Sequence, residues 1–259
     1  MRLLLLLCLA LAGPARAQDG ERPTPFVTTP EQVVERMLQL AGTRGDDVVM
    51  DLGSGDGRIP IIAAQKFGAR AIGVELDERL VEISRENARR AGVAERASFE
   101  QGDVLAANIA RASVVTVYLL PELMGRLQPR FVDELEPGTR IVSHSFTMAG
   151  WPPDRKESVR IDRRHPGQGD ESTLYLWIVP AEVRGQWAER GPRGGLRVRI
   201  EQSYQRVDVE GASNARLSGR DISWEGREGR FRGRVEGRRI VGELVAANGA
   251  ARAVALVRR

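Results

Sequence analysis

The chain has 259 residues, 42% of them hydrophobic, with a formal net charge of +4 and a single cysteine, Cys8. That apolar share supplies a substantial core and excludes a disordered chain, and the length fits one or two domains. The charge is uneven: residues 181–259 hold seventeen arginines against ten carboxylates, a surplus of seven, so the remainder carries −3. Lys66 and Lys156 are the only lysines, so the arginine enrichment reads as genomic composition rather than recognition chemistry.

Residues 1–17 combine Arg2, an apolar run over 3–11 and Ala15-Arg16-Ala17 before Gln18, which predicts a secretory signal cleaved after Ala17. The run is short of the roughly 20 residues of a membrane span. A lipoprotein reading through Leu5-Leu6-Leu7-Cys8 is poor, because too little apolar sequence precedes the cysteine. Cleavage leaves a mature chain without cysteine, hence without disulfides or thiol chemistry. His144 and His165 have no cysteine or acidic cluster at ligand spacing, so no metal is expected. Residues 18–28 form a linker.

Thr29-Pro30-Glu31-Gln32 offers an N-cap, a proline at the first helical position and a capping-box glutamine. Val33, Val34, Met37, Leu38 and Ala41 then repeat at helical spacing up to Gly42. Residues 46–57, DDVVMDLGSGDG, read as a buried strand that ends in Gly53, Gly55 and Gly57 alternating with Ser54 and Asp56. Such glycines permit positive φ and leave no Cβ between the main chain and a ligand lying across it. The dinucleotide fingerprint requires its third glycine at position 58, where this chain has Arg58, and Asp51 and Asp56 would repel a pyrophosphate. A dinucleotide oxidoreductase is therefore disfavoured and a cationic ligand favoured.

Residues 58–67 predict a helix with Pro60 in its first turn, and 71–76 a second strand. Asp77 caps a helix whose face carries Leu80, Val81, Ser84, Ala88 and Ala91. Residues 97–101 and 113–120 read as strands, 121–135 as a helix broken near Pro129, 139–146 as a fifth strand, and 159–163 with 174–179 as a closing hairpin. Strands alternating with helices predict an α/β domain over residues 29–180, a doubly wound, mostly parallel seven-stranded sheet with right-handed crossovers. From 181 to 259 the period becomes two, with segments around Leu196, Val207, Trp224, Val235, Leu244 and Val257 punctuated by glycine. This predicts a small antiparallel β module, in which Arg230, Arg232 and Arg234 form a solvated face rather than a nucleic-acid site.

In an open parallel sheet the ligand lies outside the carboxyl ends of the strands, where Asp51, Glu75 and Asp103 should converge. Glu75 ends the second strand, 24 residues after Asp51, where a carboxylate can accept both hydroxyls of a ribose.

The acidic-x-G-x-G-x-G pattern of residues 51–57 resembles motif I of the class I S-adenosylmethionine-dependent methyltransferases. The resemblance implies S-adenosyl-L-methionine as cofactor. It places Gly53, Ser54, Gly55 and Gly57 in the cofactor loop, Asp51 near the methionine ammonium, Glu75 on the ribose and Asp103 on the adenine. After the fourth strand many amino-methylating members carry Asn/Asp-Pro-Pro-aromatic, and this chain departs with Tyr118-Leu119-Leu120-Pro121-Glu122. TPEQVVERML, DLGSGDGRI, VTVYLLPEL and PGTRIVSHSF with Trp151-Pro152 are similar to a narrower group, which includes the mitochondrial lysine methyltransferases of the ATP synthase c-subunit and the adenine nucleotide translocase and secreted-looking bacterial relatives.

That narrower resemblance implies transfer to a protein lysine amine, with Tyr118, Pro121 and Glu122 at the acceptor and no nucleic-acid partner. His144 reads either as a base or as a satisfied histidine at a sheet end. Two other readings stay open: a methyltransferase for a small molecule, and an exported binding protein that keeps the crevice without transfer. The last is motivated by location, since a signal sends the chain away from the cytosolic cofactor.

Overall fold

A computed structural model describes residues 27–161, 170–189 and 195–259. The signal at 1–17, most of the linker, Arg163 and His165 lie outside the described residues. Five central strands, β1 (Val48–Leu52), β2 (Arg70–Glu75), β3 (Ala97–Gln101), β4 (Val114–Val117) and β5 (Arg140–His144), pair in parallel. β6 (Arg155–Arg160) and β7 (Glu171–Ile178) close the sheet as an antiparallel hairpin, and the order is β3-β2-β1-β4-β5-β7-β6. The doubly wound, mostly parallel seven-stranded sheet expected from the sequence is therefore the fold.

Successive residues of each central strand feed opposite faces. On one face Val49, Val114 and Val142 pack with Val33, Met37 and Leu38 of α1 (Glu31–Leu40) and Ile62 of α2 (Arg58–Phe67). On the other, Met50, Val115, Val117 and Ile141 meet Met124, Leu127 and Phe131 of α4 (Pro121–Glu134), with Trp151 and Trp177. α3 (Glu78–Arg90) buries Val81 and Ala88 against Ile61 and Phe99.

Three local expectations need correction. Thr29 does not cap α1: Pro30 occupies the N-cap without a side-chain bond, because the Thr29 hydroxyl is spent on His144. α4 is unbroken at Pro129, because the residue whose carbonyl the ring displaces, Gly125, and Pro129 itself both lie on the exposed side, opposite Met124, Leu127 and Phe131. The closing hairpin opens at Arg155 rather than 159, since β6 is an edge strand without a buried apolar run to mark it.

The C-terminal unit is also larger than a small module. It has eight antiparallel strands: β8 (Gly185–Glu189), β9 (Arg197–Ser203), β10 (Arg206–Val209), β11 (Ala212–Ser218), β12 (Asp221–Gly226), β13 (Gly229–Glu236), β14 (Arg239–Val245) and β15 (Ala251–Arg258). The sheet runs from β10 to β11, which are joined by Glu210 and Gly211 and lie side by side, so it curls almost to closure around Trp187, Trp224, Phe231, Ile240 and Leu256. Arg230 pairs with Glu225 and Arg234 with Asp221, while Arg232 sits opposite Glu243, so carboxylates answer the arginine row on the outer face.

This β domain docks at the end of the first sheet opposite the carboxyl ends of its parallel strands. Arg220 Nε donates to Pro137 O at 3.0 Å and its guanidinium pairs with Glu136, both in the turn leading into β5. Ala181 N donates to Gly219 O at 2.8 Å, and a side chain at Gly219 would come within 2.8 Å of Gly138 Cα, so these backbones touch.

Candidate active site

The turn after β1 is built by three glycines, all at positive φ, with different jobs. A Cβ at the exposed Gly53 would meet only the tip of Leu119, Cδ2 at 2.9 Å, whereas one at the buried Gly57 would meet Ser84 and Phe99 within 2.7 Å, so Gly57 clears space for packing inside the protein. Gly55 is itself buried, at φ 54. Its N–H donates to Glu75 Oε2 at 2.9 Å, while Glu75 Oε1 accepts from Leu76 N at 2.8 Å and Asp77 N at 3.0 Å. The carboxylate thus ties the loop to the end of β2. Ser54 is buried with its hydroxyl turned under the loop towards Gly73. Gly53 and Ser54 both donate to Val74 O, at 2.9 and 3.0 Å.

Arg58, at the position that excluded a dinucleotide, folds back on the loop. Nε and Nη2 bind Asp56 at 2.9 and 2.6 Å, and Nη1 donates to Thr29 O at 2.9 Å. Asn87 holds the same turn through Asp56 O at 2.9 Å.

Asp51, at the end of β1, is 2% exposed and accepts from Thr116 Oγ1 at 2.7 Å. Burial pushes its carboxyl up to about 8, Thr116 opposes this, and the charges of Glu75 and Asp56 add to it. Asp103 is exposed after β3, its Oδ1 accepting from Leu105 N at 2.8 Å. Two groups the sequence did not flag belong here. Arg130 of α4 donates to Leu105 O and Ala107 O, both at 2.7 Å, and so fixes the segment behind Asp103. Leu76, expected inside the second strand, lies just beyond β2, which ends at Glu75; 69% exposed, it offers a bare apolar side chain beside these carboxylates.

These residues fit S-adenosylmethionine. A loop residue without a Cβ allows close approach, two carboxylates and a buried Asp51 suit hydroxyls and an ammonium, and Leu76 suits the face of a base.

On the acceptor side Tyr118 follows β4, half-buried, its ring 4.1 Å from the His144 ring and 6.0 Å from Phe146. Burial holds the phenol above its ordinary value, so it stays neutral. Leu119 packs over Gly53, Leu120 is largely exposed, and Pro121 and Glu122 open α4 in solvent. His144 does not suit the role of base: Nδ1 meets Thr29 Oγ1 at 3.1 Å and Nε2 meets Ser172 Oγ at 2.8 Å, leaving no free nitrogen. It is a buried strut behind Tyr118.

Burial depresses the His144 imidazole to about 4. A folded-state value below the unfolded one of about 6.5 means that stability is fully present above pH 6.5 and is lost as pH falls through 4, by up to roughly 3 kcal/mol. Urea unfolding between pH 7 and 4 should therefore fall less steeply in His144→Gln than in the parent. Equal slopes would remove His144 as the acid-sensitive group.

The chain is similar to known proteins. The family model described as the ANTKMT methyltransferase domain matches residues 51–155. A protein-lysine N-methyltransferase of Saccharolobus islandicus (strain REY15A) is 41% identical over 156 residues, 60% of this chain and 93% of the relative. The lysine N-methyltransferase of the ATP synthase c-subunit from Mus musculus is 38% identical over 53% of this chain and 55% of its own length. The crystal structure of an RNA methyltransferase from Salinibacter ruber with S-adenosyl-L-homocysteine shares 48% identity and a TM-score of 0.55 over 61% of this chain and 96% of that one.

Proposed function

We propose that this chain, which belongs to the ANTKMT methyltransferase family and is a class I S-adenosylmethionine-dependent methyltransferase, methylates the ε-amine of a protein lysine. The observation that carries the reading is the charge of the crevice: the side chains at the ends of β2 and β3 and opening α4 include Glu75, Asp103 and Glu122. Such a lining attracts a cationic amine and repels the phosphates of a nucleic acid.

Glu75 and Asp103 hold the ribose and adenine ends of the cofactor, the exposed Gly53 gives main-chain access, and Asp51 takes the ammonium. The bound cofactor supplies an electrophilic methyl group on a sulfonium. What the protein adds is positioning and desolvation. A lysine attacks only as the free amine, and its ordinary pKa of about 10.4 must be overcome. Tyr118, Leu119, Leu120 and Pro121 form an apolar collar with one hydroxyl, which favours the neutral amine, and Glu122 draws in the ammonium before its proton leaves.

The test is tritium transfer from S-adenosylmethionine into an extract of cells lacking the gene, with tandem mass spectrometry of the labelled product. Label on a lysine nitrogen is expected, with activity rising with pH until the bound amine is deprotonated. Label in RNA would move the acceptor to the class of the Salinibacter relative, and label in a metabolite to a small molecule. Tyr118→Phe and Glu122→Gln should each slow transfer about tenfold or more without moving cofactor affinity, given the loss of a bonded partner. Parental turnover in both would place the pocket elsewhere.

The character of residues 1–17 supports export. The mature protein, by mass spectrometry, should begin at Gln18; a chain that retains Met1 would place the enzyme with the cytosolic cofactor instead.

A further inference from the structure

The β9–β10 turn crosses the boundary between the two sheets. Ser203 pairs with Arg206, leaving a loop of Tyr204 and Gln205. Tyr204 stands at φ 53, a left-handed conformation that glycine would adopt without strain at the first position of such a turn. Its ring stacks on the buried Trp151, centroids 4.8 Å apart and planes within 7°. Gln128 Nε2, on α4, donates to Tyr204 Oη and to Ala149 O, both at 3.0 Å. Trp151 O in turn accepts from Trp177 Nε1 at 2.9 Å.

The elements joined in this way are the two that wall the acceptor end. α4 opens with Pro121 and Glu122, and the crossover segment after β5 begins at Ser145 and Phe146, beside Tyr118. Ser145 is itself left-handed at φ 65, inside a turn closed by Phe146 N donating to His144 O at 2.8 Å. A backbone of that kind persists only where its surroundings over-determine it. Upstream, Ser145 N donates to Thr173 O at 2.7 Å; downstream, the segment is anchored at Trp151 under Tyr204.

We propose that Tyr204 is a positioning residue for methyl transfer: from the β domain it braces the crossover segment against α4 and so holds Phe146 against Tyr118 of the acceptor collar. The proposal rests on the acceptor lying at Tyr118, and is independent of whether that acceptor is a lysine. It also gives the β domain a part in the reaction although it docks at the far end of the sheet from the cofactor.

Tyr204→Gly in the full chain removes the ring and relieves the backbone, so a turn that matters only to the β domain would tolerate it. Amide hydrogen exchange at Ser145 and Phe146 should rise about tenfold or more in this variant. Tritium transfer from S-adenosylmethionine to the extract should fall about tenfold, with S-adenosylhomocysteine affinity by calorimetry within about twofold of parent. Tyr204→Phe keeps the stack and should recover most of both. Gln128→Ala repeats the test from α4 should Tyr204→Gly fold poorly, which faster exchange in β1 and weaker S-adenosylhomocysteine binding would reveal. Parental exchange at Ser145 and Phe146 in both Tyr204→Gly and Gln128→Ala, or parental transfer in either folded variant, overturns the brace. If even the parent labels nothing, the proposed activity fails, and the exchange result alone decides the brace.

Discussion

Replacing Glu75 by alanine should weaken S-adenosylhomocysteine binding by about 10²- to 10⁴-fold, the cost of two charge-assisted bonds to a ribose at roughly 1.5–3 kcal/mol each. The carboxylate already accepts from the amides of Gly55, Leu76 and Asp77, so alanine also releases the loop from β2. Glu75→Gln, which keeps the shape but turns one acceptor into a donor, should fall between parent and alanine. Calorimetry decides the matter, with far-ultraviolet circular dichroism to establish that the fold persists. An unchanged dissociation constant in Glu75→Ala would remove the ribose assignment. Gly57→Ala is the contrasting case: its Cβ would lie 2.5 Å from Ser84 Cβ, so it should lose folded protein rather than cofactor affinity alone.

The central strands were legible because burial on both faces makes them nearly continuous apolar runs ended by glycine or acid. β3 falls on its expected bounds, as does α2 between Gly57 and Gly68. Edge elements were harder. β6 exposes most of RKESVR, and β11 buries only Leu217, so neither carries a pattern; each takes its register from its neighbour. β8 buries the adjacent Trp187 and Ala188, which breaks the period of two. The glycines after β1 were legible as a turn, but that Gly57 serves internal packing depends on Ser84 and Phe99, which approach from distant parts of the chain. Thr29 has the local features of a helix cap, and the tertiary bond to His144 overrides them.

Arg58, Thr29, His144 and Tyr118 form one run of contacts from the cofactor turn to the acceptor collar. No pattern in the sequence announces it, because its members come from α2, the segment before α1, β5 and the end of β4. The same holds for Tyr204, whose partners Trp151 and Gln128 belong to the other sheet. Sequence periodicity reports which face of an element is buried; it is silent about which polar or aromatic tips meet once the faces have packed.

Binding of S-adenosylhomocysteine at pH 7 should release most of one proton to the buffer. Asp51 is buried, has one hydroxyl donor and lies near the charges of Glu75 and Asp56, and its carboxyl is pushed up to about 8. A folded-state value above the unfolded one of about 3.9 means that the protonated acid favours the fold: that stability is complete below pH 3.9 and is lost as pH rises through 8. An ammonium placed beside Asp51 reverses the preference, because it favours the carboxylate, so the ligand must drive the proton off. Affinity should then rise about tenfold per pH unit from 6 towards 8, and fall above the α-amino value of roughly 8, where the ligand loses its own charge. Calorimetry in buffers of different ionisation enthalpy measures the released proton directly. Asp51→Asn keeps an acceptor for Thr116 while abolishing the titration, and should flatten the rising limb and make the heats buffer-independent. Buffer-independent heats in the parent at pH 7, or the same rising limb in Asp51→Asn, would show that the ammonium is held elsewhere and that Asp51 serves only to anchor Thr116 under the loop.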